Sequence, residues 1–152
     1  MREGVYIEMG ALDGVLYANT KFFEDYLDWR GILIEANPVN AQHLRANRPL
    51  AARLALGVCD AQTHNFTFVG NGAVGATVSN YQDGSWGARK ALPQFTVRCM
   101  PLDGILKKVG VDFVDFWSLD VEGAEMQVLK THDWTNIPIR VLMYECEPPG
   151  PR

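Results

Sequence analysis

The sequence predicts an α/β domain whose mostly parallel sheet is covered by helices on both faces. Two observations lead to this prediction. Short runs rich in β-branched and apolar residues alternate along the chain with stretches that show apolar residues at helical spacing. Several of these runs are continuously apolar, as expected for strands buried on both sides of a parallel sheet. Successive parallel strands are joined by right-handed crossovers, so the alternation is typical of a Rossmann-like fold.

The first half of the chain contains two strands and two helices in alternation. The first strand ends in a turn with two glycines, and the second ends in an acid. The first helix has Asn19 or Thr20 as its N-cap and Gly31 just past its end, whereas Asn37 and Pro38 open the second helix. The predicted elements are the strands Val5–Met9 and Gly31–Glu35 and the helices Phe22–Trp29 and Asn37–Leu44.

The second half of the chain alternates further strands with two short helices. A long segment rich in Gly, Asn and Ser, Gly70–Gly87, shows little periodicity and is predicted to be a mobile loop with a functional role. The predicted strands are Ala52–Val58, Asn65–Val69, Phe95–Cys99, Phe113–Leu119 and Ile139–Tyr144, and the predicted helices are Pro101–Val109 and Ala124–Lys130.

The composition indicates one globular domain that spans residues 1–152. Hydrophobic residues make up 47% of the chain and charged residues 21%, with a formal net charge of −4. Because no basic cluster is present, a nucleic acid is not expected as a partner. No apolar run approaches the roughly 18 residues of a membrane span. We therefore expect no membrane segment in this chain and, by default, a cytoplasmic location.

The three cysteines, Cys59, Cys99 and Cys146, lie far apart in the sequence and form no Cys-x-x-Cys pair. An odd number of distant cysteines favours neither a disulfide framework nor a zinc site. We therefore expect three reduced, half-buried thiols and no bound metal.

The ends of the predicted strands carry the candidate chemistry, because ligands of such sheets bind beyond the carboxyl ends of the strands. Glu35 ends the second strand, 21 residues after Gly14, at the distance where an acid accepts hydrogen bonds from two ribose hydroxyls. The first loop, EMGALDG, lacks the Gly-x-Gly-x-x-Gly pattern of dinucleotide sites and places Glu8 and Asp13 where a pyrophosphate would approach. These acids favour S-adenosylmethionine, which carries an amino group and a sulfonium charge.

Structural explanations compete with these roles. Glu35 could be a solvated acid of a turn, and Asp120 could be the N-cap of the following helix. Glu122 would then stabilise the first turn of that helix through its dipole. The histidines fit surface or cap positions, although His132 follows the helix after Asp120 and could face the cleft.

Three segments, VYIEMGALDGVLYANT, FFEDYLDWRGILIEANP and FWSLDVEGAEMQVL, resemble in their order and spacing the FkbM family of S-adenosylmethionine-dependent methyltransferases. The resemblance covers about residues 4–147. It implies the class I methyltransferase fold and, as in family members, methylation of hydroxyl groups, often of sugars or natural products. The implied roles are the methionine-binding loop for Glu8, Gly10 and Gly14, the adenosine ribose for Glu35, the adenine edge for Asp60, and the mouth of the site for Asp120 and Glu122.

Two features depart from the pattern of that family. The class I fold has seven strands, the last two of which form a hairpin, whereas this chain stops after the strand predicted at Ile139–Tyr144. The final hairpin is therefore expected to be missing, and an unpaired apolar edge favours a homodimer. The GALDG form of the first loop also occurs in Star-like animal proteins, which resemble the family but act in the trafficking of membrane-bound ligands.

The resulting hypothesis is methyl transfer from S-adenosylmethionine to an oxygen of a small molecule or glycan. Asp120 is the predicted base or nucleophile-orienting group, with Glu122 and His132 as further candidates. The alternatives are a catalytically silent binding module and a nicotinamide-dependent oxidoreductase, which the EMGALDG loop disfavours. The predicted cofactor site comprises Glu8, Gly10, Ala11, Asp13, Gly14, Asn19, Glu35, Ala36, Asp60 and Asp120.

Overall fold

The computed structural model of the chain describes residues 3–71, 74–77 and 91–146. Helices and strands alternate along most of these ranges. In chain order the elements are β1 (Val5–Met9), α1 (Lys21–Leu27), β2 (Arg30–Glu35), α2 (Pro38–Asn47), β3 (Ala52–Ala55), β4 (Gly57–Val58), β5 (Asn65–Asn71), β6 (Val74–Thr77), β7 (Gln94–Met100), α3 (Leu102–Val109), β8 (Val114–Leu119), α4 (Glu125–Leu129) and β9 (Ile139–Tyr144).

The main sheet has five strands in the order β3-β2-β1-β8-β9, and every neighbouring pair is parallel. Strand β1 lies at the centre, where Ile7 pairs with Ile32 of β2 on one side and with Trp117 of β8 on the other. The chain continues to β2 and β3 in one direction and later to β8 and β9 in the opposite direction. The strand order therefore reverses beside β1, which is where such sheets bind ligands.

Helices cover both faces of the main sheet, as the sequence predicts. On one face Ile7 packs in a buried cluster with Ile105 and Leu106 of α3 and with Val128 of α4. On the other face Tyr6 packs in a second cluster that includes Leu44 of α2 and side chains of α1. Neighbouring residues of β1 thus face opposite clusters, and the predicted Rossmann-like α/β class is confirmed.

A second, mostly antiparallel sheet in the order β4-β7-β5-β6 was not predicted. The prediction of a single strand at Ala52–Val58 is wrong. The strand is interrupted at Leu56, where the chain passes from β3 in the main sheet to β4 in the second sheet. Part of the loop predicted at Gly70–Gly87 is also wrong, since it contains the end of β5 and all of β6. The rest of that loop lies outside the described residues.

The first helix ends earlier than its apolar spacing predicts. Helix α1 stops at Leu27, and its C-cap, Asp28, has a φ of 59°, in the left-handed region. Gly31 is not a helix-end residue, because it lies inside β2. Within the described ranges, no helix is long and apolar enough to cross a membrane.

The prediction of three reduced cysteines is wrong. Cys59 and Cys99 form a disulfide whose Cα atoms lie 5.6 Å apart, and Cys146 is an exposed thiol outside it. The two partners are 40 residues apart in sequence, so spacing alone gave no signal. They meet because β4 runs parallel to β7 with Gly57 opposite Cys99. Disulfides persist mainly in oxidising compartments, so this bond does not support the default expectation of a cytoplasmic location.

Candidate functional site

A cleft of about 380 Å³ lies at the carboxyl ends of β1, β2 and β8. Its size is within the range of sites for small molecules and cofactors. The loop that follows β1 forms one side of the cleft, and Leu56, Val58 and Phe68 from the region of the second sheet form an apolar wall. The two sheets therefore enclose the cleft between them.

Two glycines shape the loop after β1. Gly10 and Gly14 have φ values of +82° and +83°, a conformation that side chains rarely adopt. A Cβ on Gly10 would lie 1.8 Å from the carbonyl oxygen of Asp120, and one on Gly14 would lie 2.7 Å from Cγ of Arg48. The loop can follow this path only with glycine at both positions. Gly10 lines the cleft, whereas Gly14 supports the loop from behind.

Glu35 is buried in the wall of the cleft at the end of β2. The backbone N–H of Leu12 donates to its Oε2 at 2.7 Å, and the backbone N–H of Asn37 donates to its Oε1 at 2.7 Å. Burial raises the pKa of Glu35 to about 7, and the backbone hydrogen bonds offset this only in part. The carboxyl group is thus held in one orientation on the cleft wall by neutral donors alone.

Leu12 carries backbone strain at this contact. Its φ is +51°, in the left-handed region that an L-residue with a large side chain adopts at a cost of roughly 1–3 kcal/mol. In this conformation its N–H points to Glu35. The strained residue therefore donates the hydrogen bond that orients Glu35.

Glu8 lies near the end of β1, is 3% exposed and also lines the cleft. Its Oε1 accepts from the backbone N–H of Asn19 at 2.6 Å, and its Oε2 accepts from the hydroxyl of Thr20 at 2.5 Å. A buried guanidinium, that of Arg48, lies 3.6 Å away. Burial raises the pKa of Glu8, and the Thr20 and Asn19 hydrogen bonds and the Arg48 charge oppose that shift. Thr20 is the N-cap residue of α1, but its side chain bonds to Glu8 rather than capping the helix.

Asp120 follows β8 and lies exposed at the rim of the cleft. Its backbone N–H donates to the carbonyl of Met9 at 3.0 Å, which joins the end of β8 to that of β1. A carboxylate oxygen of Asp120 lies within 4.8 Å of one of Glu145, just past β9, and the negative charge of Asp120 raises the pKa of Glu145. Glu145 is missing from the predicted site, although the end of a parallel strand is the same signal that identifies Asp120.

Glu122 also lines the cleft, in the turn between β8 and α4. Neither competing structural explanation for these acids holds, since the N-cap of α4 is Ala124 and the helix begins only at Glu125. Glu125 instead accepts a hydrogen bond from the backbone N–H of Val121 at 2.9 Å. Asp120 and Glu122 therefore lie at the cleft and outside the helix.

Three predicted residues of the first loop support the cleft without lining it. Ala11 is buried and its N–H donates to the carbonyl of Ile34 at 3.1 Å. Asp13 is absent from the described lining, and its carboxylate accepts from the N–H groups of Val15 and Leu16, both at 2.8 Å. Together with Gly14, these residues fix the path of the loop and are not brought to the ligand space.

Asp60 and His132 lie away from the described lining of the cleft. Asp60 is exposed, and hydrogen bonds from the backbone N–H groups of Thr63 and Gln62 lower its pKa, so it closes its own turn. His132 is buried, with Nδ1 at 2.6 Å from the carboxylate of Asp103 and Nε2 at 3.0 Å from the carbonyl of Ile137. Both ring nitrogens of His132 are thus occupied within the fold.

The cleft brings together most of the remaining predicted residues and adds a group that the sequence did not reveal. The predicted residues that line it are Glu8, Gly10, Asn19, Glu35, Ala36, Asp120 and Glu122. The unpredicted lining includes Leu12, Leu16, Tyr17, Asn40, Leu56, Val58, Phe68, Ser118 and Val121. Most of these are apolar and carry no chemical pattern in the sequence, so only the path of the loops and of the second sheet identifies them.

The charge of the cleft is one-sided. Among the described residues that line it, four are acids and none is Lys, Arg or His. The molecule is thus a Rossmann-like α/β protein with an acidic cleft at the point where its strand order reverses.

Comparison with known proteins identifies the family. Residues 8–151 match the family model described as the methyltransferase FkbM domain, so the chain belongs to the FkbM methyltransferase family. No curated protein and no solved structure matches the sequence.

Proposed function

We propose that this protein is an S-adenosylmethionine-dependent methyltransferase that methylates a hydroxyl group of a sugar or another small molecule. The observation that supports the cofactor most directly is the acidic cleft with no basic residue in its described lining. A pyrophosphate group would be repelled by these acids, which argues against a nicotinamide dinucleotide. A ligand with a sulfonium and an ammonium group is attracted by the same charges.

The cleft residues fit an adenosine-containing ligand. Glu35 is held by backbone N–H groups, and its carboxylate can accept further hydrogen bonds from ribose hydroxyls. Leu56, Val58 and Phe68 offer an apolar wall to a nucleobase. Glu8 and Asn19 line the same cleft, and the carboxylate of Glu8 suits the amino group of the ligand.

S-adenosylmethionine supplies an activated methyl group on a sulfonium. The chain then has to orient the acceptor hydroxyl and take its proton, and a positioned base contributes typically 10²- to 10⁴-fold. Asp120 is the proposed base, because it is a carboxylate on the open rim of the cleft. The negative charge of Asp120 raises the pKa of the neighbouring Glu145.

The acceptor side of the cleft is proposed to be its open edge near Leu16 and Tyr17. Both residues line the cleft, yet Leu16 is 50% and Tyr17 78% exposed. An exposed aromatic face beside a ligand site can stack against a sugar ring or another apolar surface. A glycan or ring-containing alcohol therefore suits this edge.

The experiment is a methyl-transfer assay that detects S-adenosylhomocysteine formation with a panel of methyl glycosides and small cyclic alcohols. We expect turnover with at least one class of hydroxyl compound, and we expect Asp120→Asn to lower it a hundredfold or more with little change in cofactor affinity. Asp112→Asn, an exposed acid before β8, is the matched control and should retain full activity.

Two outcomes would contradict parts of this proposal. Cofactor binding without transfer to any acceptor would favour the silent binding module. Equal losses of turnover and affinity in Asp120→Asn would make Asp120 a residue that holds the cofactor rather than a base.

A further inference from the structure

Arg48 is a fully buried arginine at the C-terminal end of α2 that the sequence did not single out. Its guanidinium donates to the carbonyl of Gly14 at 3.0 Å, to the hydroxyl of Tyr6 at 2.9 Å and to the hydroxyl of Thr20 at 3.1 Å. It also donates to the carboxylate of Glu24 at 3.1 Å. A single side chain therefore joins β1, the loop after β1, α1 and α2.

The contacts of Arg48 hold both ends of one segment of the cleft. Gly14 begins the segment and Thr20 ends it, while Leu16, Tyr17 and Asn19 between them line the cleft. Arg48 itself is not part of the described lining. Its hydrogen bonds to the segment are made at the two ends, so its proposed effect on a ligand is indirect.

The fit between Arg48 and this segment is tight. A Cβ on Gly14 would lie 2.7 Å from Cγ of Arg48 and 3.0 Å from Cδ2 of Leu44. The hydrocarbon stem of Arg48 therefore packs directly against the loop backbone, while its head group binds the carbonyl of the same glycine. A shift of the loop would break both contacts at once.

Arg48 also balances buried negative charge. Its guanidinium lies 3.6 Å from Glu8 and 3.1 Å from Glu24, and both acids are almost fully buried. Glu8 in turn binds the N–H of Asn19, a residue of the cleft. Arg48 thus acts on the segment directly through Gly14 and Thr20, and a second time through Glu8.

We propose that Arg48 is the positioning residue that holds the segment Gly14–Thr20 in the arrangement required for ligand binding. The identity of the ligand rests on the proposed function, whereas the holding of the segment does not. Lysine cannot replace arginine here, because one ammonium group lacks the planar set of donors that reaches four different acceptors.

The experiment compares Arg48→Lys with the wild type by hydrogen–deuterium exchange and by calorimetric titration with S-adenosylmethionine. We expect amide exchange in residues 13–20 to rise about tenfold or more, with exchange in β8 and β9 unchanged, and affinity to fall about tenfold or more. Arg140→Lys is the matched control. It makes the same substitution at an exposed arginine of β9, which forms an ion pair with Asp115. It should leave both measurements at wild-type values.

A second variant keeps the test decisive if Arg48→Lys does not fold. Tyr6 lies outside the described cleft lining, and Tyr6→Phe removes one hydrogen-bond acceptor of Arg48. We expect amide exchange to rise about two- to tenfold, and only in residues 13–20. Wild-type exchange in this segment, or loss of protection spread evenly over the main sheet, would overturn the proposal in either variant. Failure of the wild type to bind S-adenosylmethionine would refute the proposed function, while the exchange pattern would still decide the role of Arg48.

Discussion

The ends of β1 and β2 both place a buried acid in the cleft, but their surroundings differ. At the end of β1, Glu8 is bound by a hydroxyl and a backbone N–H and lies near the guanidinium of Arg48. At the end of β2, Glu35 is held by backbone N–H groups, and burial raises its pKa to about 7. Both acids line the cleft, and the comparison predicts that loss of Glu8 affects stability more than loss of Glu35.

The largest expected effect is on stability at the β1 end. Glu8→Ala removes the acceptor of Asn19 and Thr20 and leaves Arg48 with less compensating charge. Loss of one partner from a buried ion pair typically costs about 3–5 kcal/mol. We expect a loss of this size in the free energy of unfolding, measured by urea denaturation. If Glu8→Ala lowers the free energy of unfolding no more than Glu35→Ala does at pH 5, the two strand ends do not differ in this respect.

The disulfide offers a test of the apolar wall of the cleft, which lies past the end of β2 and β3. Glu35 pairs with Ala55 at the end of β3, and the chain continues directly into β4, which has only two residues. The bond between Cys59 and Cys99 ties this short strand to β7. Removing the bond with Cys59→Ala and Cys99→Ala together should lower the free energy of unfolding by about 2–4 kcal/mol.

The same double variant should affect the ligand only moderately. Leu56 and Val58 of the apolar wall also pack against the buried cluster of the main sheet, so we expect affinity for S-adenosylmethionine to fall by only about threefold. Unchanged stability in urea would contradict the disulfide itself. Complete loss of binding would mean that the second sheet, rather than the strand ends of the main sheet, determines the site.

The pH dependence of stability should distinguish the two acids. Burial raises the pKa of Glu35 from 4.5 to about 7, so the folded protein favours its protonated form. The stability associated with this group is fully present below about pH 4.5 and is lost as the pH rises through about 7. Between pH 5 and pH 8 the wild type should therefore lose roughly 2–3 kcal/mol relative to Glu35→Ala. Because both proteins contain Glu8, its contribution cancels in the difference. Parallel curves of stability against pH would show that burial does not raise the pKa of Glu35.

The sequence predicts the main sheet and the acids at its strand ends well, because hydrophobic runs and the residues that follow them are local patterns. Glu8, Glu35 and Asp120 reach the cleft for that reason. Phe68 and the Cys59–Cys99 bond depend on how distant strands pair, which no local pattern encodes.

Two predicted site residues lie outside the described lining of the cleft for a related reason. Asp60 follows a strand end of the second sheet, not of the main sheet, so the rule about carboxyl ends did not apply to it. His132 is sequentially close to the Asp120 region, but its ring bonds to Asp103 and Ile137. Arg48 follows α2 with no motif around it, and only its burial reveals its role.

The most direct test is calorimetric titration of the wild type and of Glu35→Ala with S-adenosylmethionine and with NAD. We predict that the wild type binds S-adenosylmethionine and gives no heat with NAD. At a pH above the Glu35 pKa of about 7, where the carboxylate is ionised, Glu35→Ala should bind S-adenosylmethionine about 10- to 100-fold more weakly, since hydrogen bonds to a charged group contribute about 1.5–3 kcal/mol. Glu35→Gln should be affected almost as strongly, because its amide would face one of the two backbone N–H donors. Binding of NAD in preference to S-adenosylmethionine, or equal affinity in wild type and Glu35→Ala, would contradict the account.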